Sequence, residues 1–255
     1  MIKAAFFDID GTLLSFKTHR IPASTQRVLD AFHERGVKCV ISTGRPKYQM
    51  PDWLLEGWDA YITLSGQYCF DRDGVYRSCP IDDADVRAVV EQVAEGRYDS
   101  LCMQGENSFV NRLSKRVVTA GSNAAIVYHE EPFEHAFDAP VYQFCAFLDS
   151  ADDHIVTDAT SHVLTTRWCD LFCDLIPDNG GKDKGVAATL ERLGIAPEEA
   201  IAFGDGENDL SMFAAVGTSV AMGNAWDSVK AAASYVTTDV DDDGIYNAAV
   251  HFGLM

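Results

Sequence analysis

Three well-separated stretches of this chain share one pattern, a short apolar run that stops abruptly at acids, glycines or hydroxyls. Residues 4–7 lead into Asp8-Ile9-Asp10-Gly11-Thr12, residues 37–41 into Ser42-Thr43-Gly44-Arg45, and residues 200–203 into Gly204-Asp205-Gly206-Glu207-Asn208-Asp209. Segments of helical character lie between them at 25–35, 47–56, 186–193, 210–215 and 227–233, with further β-rich runs at 60–64 and 219–221. Short apolar strands alternating with amphipathic segments predict a parallel sheet with crossover helices. Open sheets of that kind bind their ligands beyond the carboxyl ends of the strands, where all three clusters fall.

The rhythm changes between residues 82 and 173. A helix is predicted at 83–95, strand-like runs at 100–103 and 108–111, a second helix at 152–159 and strands at 163–166 and 171–174. Consecutive strands with helices beside them read as an α+β unit. The predicted fold class is therefore α/β, with a parallel-sheet core formed by residues 1–81 and 174–255 and an inserted unit at 82–173. A chain of 255 residues, 47% of them hydrophobic, is long enough for that arrangement.

Charge narrows the choice of partner. With 39 acidic and 20 basic residues the formal charge is -19, a field that repels nucleic acid and anionic lipid, so neither nucleic acid nor membrane is expected as a partner. The same field opposes a phosphorylated metabolite unless a divalent cation and a few basic groups reverse the potential inside the site. Seven scattered cysteines suit reduced thiols better than a disulfide framework. No apolar run reaches membrane-spanning length and no cationic leader opens the chain, so a cytoplasmic location is expected.

The clusters carry the chemistry. Asp8 and Asp10, two residues apart before a glycine, can converge on one magnesium and one phosphoryl group, one attacking phosphorus while the other moves a proton. Asp-Gly is also common in turns. A hydroxyl and a freed backbone amide in Ser42-Thr43-Gly44-Arg45 can hold a phosphate oxygen. The acids and asparagine of 205–209 offer the hard oxygen ligands that magnesium prefers. A lysine is needed against so much negative charge, and Lys182 and Lys184 lie in Gly180-Gly181-Lys182-Asp183-Lys184-Gly185, so one of the two should point inward. Asp239, Asp241, Asp243 and Gly244 mimic half of a calcium loop, but its twelfth position is Val250 rather than glutamate. The seven histidines show no metal-ligand spacing.

Taken together, Asp8-Ile9-Asp10-Gly11-Thr12-Leu13-Leu14, Ser42-Thr43-Gly44-Arg45, a lysine near 182 and Gly204-Asp205-Gly206-Glu207-Asn208-Asp209 resemble the four ordered motifs of haloacid dehalogenase-like hydrolases. Val220-Ala221-Met222-Gly223-Asn224-Ala225 and Asp243-Gly244 make the resemblance closest to the Cof-type subclass, IIB. The resemblance implies a Rossmann-like core, with residues 82–173 as a substrate-specifying cap that closes over the site. It implies a magnesium-dependent phosphatase in which Asp8 becomes a phosphoaspartate. Asp10 would be the acid/base and offer its carbonyl to the metal, with Asp205 and Asp209 completing the metal set of Asp8, Asp10, Asp205 and Asp209. Thr43, Gly44 and Asn208 would bind the substrate phosphate, and Lys182, favoured over Lys184 by its distance from Pro177, would neutralise charge. Relatives commonly carry Asn-Gly where this chain has Ser65-Gly66.

The expected substrate is a small phosphorylated metabolite, a sugar phosphate or similar monoester. A phosphomutase would return the phosphoryl group to a sugar hydroxyl instead of water. A phosphorylation-switched receiver module is the alternative of another class, and Asp10 and the inserted unit speak against it.

Overall fold

The computed structural model describes residues 1–123 and 126–255, which divide into two compact units, Met1–Gly44 with Trp53–Arg77 and Gly181–Met255, and Arg45–Asp52 with Ser78–Gly180. In chain order the first unit opens with β1 (Ala4–Phe7), α1 (Ala23–Glu34), β2 (Lys38–Ser42), β3 (Ala60–Thr63), β4 (Tyr68–Asp71) and β5 (Gly74–Ser78). The second carries α2 (Asp83–Ala94), β6 (Asp99–Gln104), β7 (Ser108–Val110), α3 (Lys115–Asn123), β8 (Val141–Phe147), α4 (His154–Thr157), β9 (Val163–Cys169) and β10 (Phe172–Pro177). The chain then returns to the first unit with α5 (Lys182–Leu193), β11 (Ala200–Gly204), α6 (Leu210–Ala214), β12 (Thr218–Ala221), α7 (Asp227–Ala232), β13 (Tyr235–Val236) and α8 (Gly244–His251).

The first unit is built on an eight-stranded sheet of order β13-β12-β11-β1-β2-β3-β4-β5. The strands from β13 to β3 run parallel, and β4 pairs antiparallel with β3. Because β1 is buried on both faces, its apolar residues divide by the pleat. Ala4 and Phe6 join the core formed with Val186 and Leu190 of α5, Met212 and Phe213 of α6 and Val229 of α7. On the opposite face Phe7 stacks on Phe203 of β11, centroids 5.0 Å apart, and meets Phe32 of α1 at 6.5 Å. Helices thus cover both faces, and the strand order reverses at β1, between β11 and β2, which is where such sheets open a crevice for a ligand.

The second unit is a five-stranded antiparallel sheet of order β7-β6-β8-β10-β9. Val86, Val89, Val90 and Val93 of α2 pack on Cys102, Phe109, Phe144, Cys173 and Leu175 of its strands.

Several elements depart from expectation. The helix predicted at 47–56 is two isolated 3-10 turns, Lys47–Gln49 and Asp52–Leu54, because Pro51 lacks the amide a helix needs and pushes Met50 into extended backbone (ψ 138). The helix predicted at 152–159 shrinks to α4. β4, β5, β8, β13, α3 and α8 were not predicted; β8 is buried along its whole length, so its pattern lacks the polar alternation that marks a strand. No helix among the described residues is long and apolar enough to cross a membrane.

Candidate active site

Each cluster sits where its strand ends. The Asp8 amide donates to Phe203 O over 3.0 Å, carrying the parallel ladder one residue past β1 before the chain turns. Leu14 N donates to Ile9 O at 2.7 Å and Gly11 N to Leu14 O at 2.9 Å, closing a tight loop with Gly11 at φ +83. Only glycine suits that position, since a Cβ there would overlap Asp205 Oδ2 and lie 2.7 Å from Phe16 Cε2. The turn and the segment after β11 are in close contact as a result.

Lys182 fills the space between the acids. It begins α5, whose buried positions 182, 185, 186, 189 and 190 form a single stripe, so the helix that packs on the sheet also carries its first side chain inward. Its Nζ donates to Asp8 Oδ1 and to Asp209 Oδ1, both over 2.6 Å, and the side chain is fully buried. Lys184 turns outward and pairs with Asp183 at 3.2 Å, its side chain 53% exposed.

Asp209 uses its second oxygen to accept the amides of Asp205 (2.9 Å) and Gly206 (3.0 Å), which holds the segment after β11 in a turn. The Asp205 carboxylate accepts from Thr12 Oγ1 at 2.9 Å and from Asn224 Nδ2 at 3.2 Å. Asp8, Asp205 and Asp209 each offer an oxygen within 4.8 Å of the others. The Asp10 carboxylate stands outside that triad but close enough to act electrostatically on Asp8 and Asp205.

Around Gly44 the remaining pieces meet. A Cβ there would lie 3.4 Å from Ser65 Oγ and 3.9 Å from Asn208 Nδ2, so the end of β2, the loop after β3 and the segment after β11 converge. Thr43, nearly fully buried, donates its amide to Ile62 O at 2.8 Å and accepts the Ser65 amide at 3.0 Å. Ser65, standing where relatives commonly have asparagine, adopts a left-handed φ of 53.

The electrostatics are those of a site short of positive charge. Burial raises the Asp8 carboxyl well above its usual range; Lys182 works against this, while Asp209, Asp205 and Asp10 reinforce it. Burial likewise lifts Asp205 to about 7, with Asp209 and Asp10 adding to the shift and Thr12 and Lys182 opposing it. Burial alone would lower Lys182, yet Asp209 and Asp8 outweigh it and hold the ammonium above its usual value. Several acids compressed against a single lysine, all presenting hard oxygens, fit a divalent cation such as magnesium.

The structure therefore gathers Asp8, Lys182, Asp205 and Asp209 in one cluster, with Asp10 beside it, and brings Thr43 and Gly44 at the end of β2 close to Asn208 in the segment after β11. Thr12 and Asn224, which lie within the motifs that carry the family resemblance, join the site without having been assigned a role in it. The signal for Asn224 was the same strand-end grammar, because Gly223-Asn224 follows the apolar β12. Asp241 of the calcium-like stretch pairs instead with Lys17 at 2.7 Å, and Asp243 stands just before α8 in a left-handed backbone conformation, φ 57.

Comparison with known proteins gives the family to which the chain belongs. The profile of the haloacid dehalogenase-like hydrolases matches residues 5–248. YkrA of Bacillus subtilis (strain 168) is 30% identical over 256 residues, covering 99% of this chain and 98% of its own. A subclass IIB sugar phosphatase of the same superfamily superposes with a TM-score of 0.92 at 36% identity, covering 99% of this chain and all of the other. A superfamily phosphatase from Bacteroides thetaiotaomicron gives 0.92 at 33% identity over 100% of this chain and 96% of its own. The chain belongs to the haloacid dehalogenase-like hydrolases, in their Cof-type subclass IIB, and is a phosphoric monoester hydrolase of that family.

Proposed function

We propose that this protein is a magnesium-dependent phosphatase that hydrolyses a small phosphorylated metabolite, a sugar phosphate or similar monoester, through an aspartyl-phosphate on Asp8. The observation that carries the reading is a buried Asp8 held by Lys182 at 2.6 Å and lying within 4.8 Å of two further carboxylates. The relative described as a sugar phosphatase supports the substrate class.

In the first step Asp8 uses a carboxylate oxygen to form a bond to phosphorus as the bond to the leaving oxygen breaks, and Asp10 donates its proton to that oxygen. In the second, Asp10 takes a proton from water, the water oxygen attacks phosphorus, and the Asp8 carboxylate departs, releasing inorganic phosphate. Thr43, the Gly44 amide and Asn208 hold the phosphoryl oxygens. Lys182 offsets charge on Asp8 and on the transferring group, and its position at the start of α5 adds the positive end of that helix. Asp209 keeps Lys182 in place.

Asp8, Asp10, Asp205 and Asp209 are the residues that would hold magnesium, Asp10 through its carbonyl. When bound, the cation supplies the positive charge that the acids lack and offsets charge on the phosphoryl oxygens. Residues 82–173 serve as the substrate-specifying cap.

The test is Asp8→Asn together with a panel of phosphorylated metabolites assayed for magnesium-dependent phosphate release. The variant should fold normally and lose turnover on every substrate the parent accepts. Retention of most activity rules out nucleophilic attack by Asp8, and isomerisation of a hexose phosphate without phosphate release would make the protein a mutase.

A further inference from the structure

Asp205 is gripped at both carboxylate oxygens by uncharged donors, the Thr12 hydroxyl on Oδ1 and the Asn224 amide on Oδ2. Asn224 is oriented without ambiguity. Its Oδ1 accepts the Val240 amide at 3.0 Å, which leaves both Nδ2 hydrogens to donate, one to Gly11 O at 2.8 Å and one to Asp205 Oδ2 at 3.2 Å. One side chain therefore joins the turn that follows Asp8 and Asp10, the carboxylate after β11 and the backbone at Val240.

The backbone carrying Asn224 is itself tightly held. Met222 N donates to Gly204 O at 3.0 Å, Gly223 N to Thr238 O at 2.9 Å and Ala225 N to Met222 O at 3.0 Å. Gly223 approaches its neighbour so closely that a Cβ would lie 2.5 Å from Asp239 N. An amide anchored this firmly can fix the rotation of the carboxylate it touches.

We propose that Asn224 is a positioning residue for the reaction: by holding Asp205 Oδ2 and Gly11 O at once, it sets the orientation of Asp205 and its separation from the Asp8–Asp10 turn, and so tunes the affinity of the acidic cluster for a divalent cation. The inference rests on the cation-dependent reading of the site. A neutral donor suits this task where lysine or arginine would not, because a cationic side chain would cancel the charge that attracts the metal. Groups that orient a ligand from behind typically change metal affinity by about 10–100-fold when removed.

The test is calorimetric titration of magnesium into metal-free parent, Asn224→Ala and Asp205→Asn at neutral pH, followed by steady-state kinetics across magnesium concentration. The alanine variant should bind magnesium about 10–100-fold more weakly, and should recover most of the parent kcat once magnesium is saturating. Asn224→Leu, which keeps volume without donor or acceptor, repeats the measurement if the alanine variant does not fold. Parent-like affinity in both Asn224 variants, with binding lost in Asp205→Asn, overturns the positioning role and leaves the cation reading standing. Parent-like affinity in Asp205→Asn overturns the cation reading and this inference with it.

Discussion

Replacing Asp205 by asparagine should make the metal-free protein more stable, by an amount that grows as pH rises from about 4 to about 7 and is full above that. The folded protein holds the Asp205 proton up to about pH 7, whereas an ordinary aspartate releases it near 3.8. Between those values the folded state binds more protons than the unfolded one, so stability falls as pH rises from about 4 to about 7 and stays low above that. Over this gap the penalty amounts to about 4 kcal/mol, at about 1.4 kcal/mol for each tenfold. Asparagine can still accept from Thr12 Oγ1, but its amide would meet the Asn224 amide that now donates to Oδ2, a mismatch costing about 1 kcal/mol.

Asp205→Asn should therefore gain about 3 kcal/mol at pH 8 and lose about 1 kcal/mol at pH 4. Urea unfolding in the presence of a chelator, followed by circular dichroism at several pH values, reads this directly. Adding magnesium should reverse the order at pH 8, because a ligand that binds only the folded parent stabilises it by mass action. A variant no more stable than the parent at pH 8, or stabilised equally at all pH values, would refute the claim that burial, reinforced by Asp209 and Asp10, raises the Asp205 carboxyl.

Lys182→Met should destabilise the protein by about 3–5 kcal/mol at neutral pH, since it leaves two buried carboxylates without their partner, while Lys184→Met should stay within about 0.5 kcal/mol; equal effects in urea unfolding would contradict the inward and outward placement of the two lysines. Gly11→Ala forces a side chain against Asp205 at a left-handed φ and should lower kcat by on the order of 100-fold, whereas near-parent kcat would mean the turn is not held as described. Phe144→Ala empties a fully buried position in the core of the second unit and should cost about 3–5 kcal/mol, and a loss below about 1 kcal/mol in urea unfolding would show that this core collapses around the gap.

How much of this was legible depended on whether the signal was local. The clusters after β1, β2 and β11 could be read because an apolar run followed by acids or hydroxyls is contiguous in the chain. The inward turn of Lys182 was harder, because its evidence is the stripe it shares with Val186 and Leu190, and the predicted helix began only at residue 186. Asn224 escaped notice as a site residue because its three partners, Gly11, Asp205 and Val240, are remote in sequence or hidden in backbone atoms. Arg72-Asp73-Gly74 does mark the turn between β4 and β5, but the strands beside it are too short and too exposed to show a clear apolar alternation, and in 47–56 the amphipathic spacing of a helix is overridden by Pro51.

The acids are not interchangeable, and the difference lies in which donors they meet. Asp209 spends one oxygen on Lys182 and the other on two backbone amides, so most of its charge is already answered by the protein. Asp205 meets only neutral donors, and Asp8 shares a single ammonium with Asp209; these two are the carboxyls that burial drives upward. The attraction for a cation therefore concentrates on Asp8 and Asp205, the first of them the proposed nucleophile, while Asp209 fixes the lysine and the loop behind them. Because Lys182 is common to Asp8 and Asp209, removing either acid changes the field at the other, and the effects of Asp8→Asn and Asp209→Asn on stability should be strongly non-additive in a double-mutant cycle.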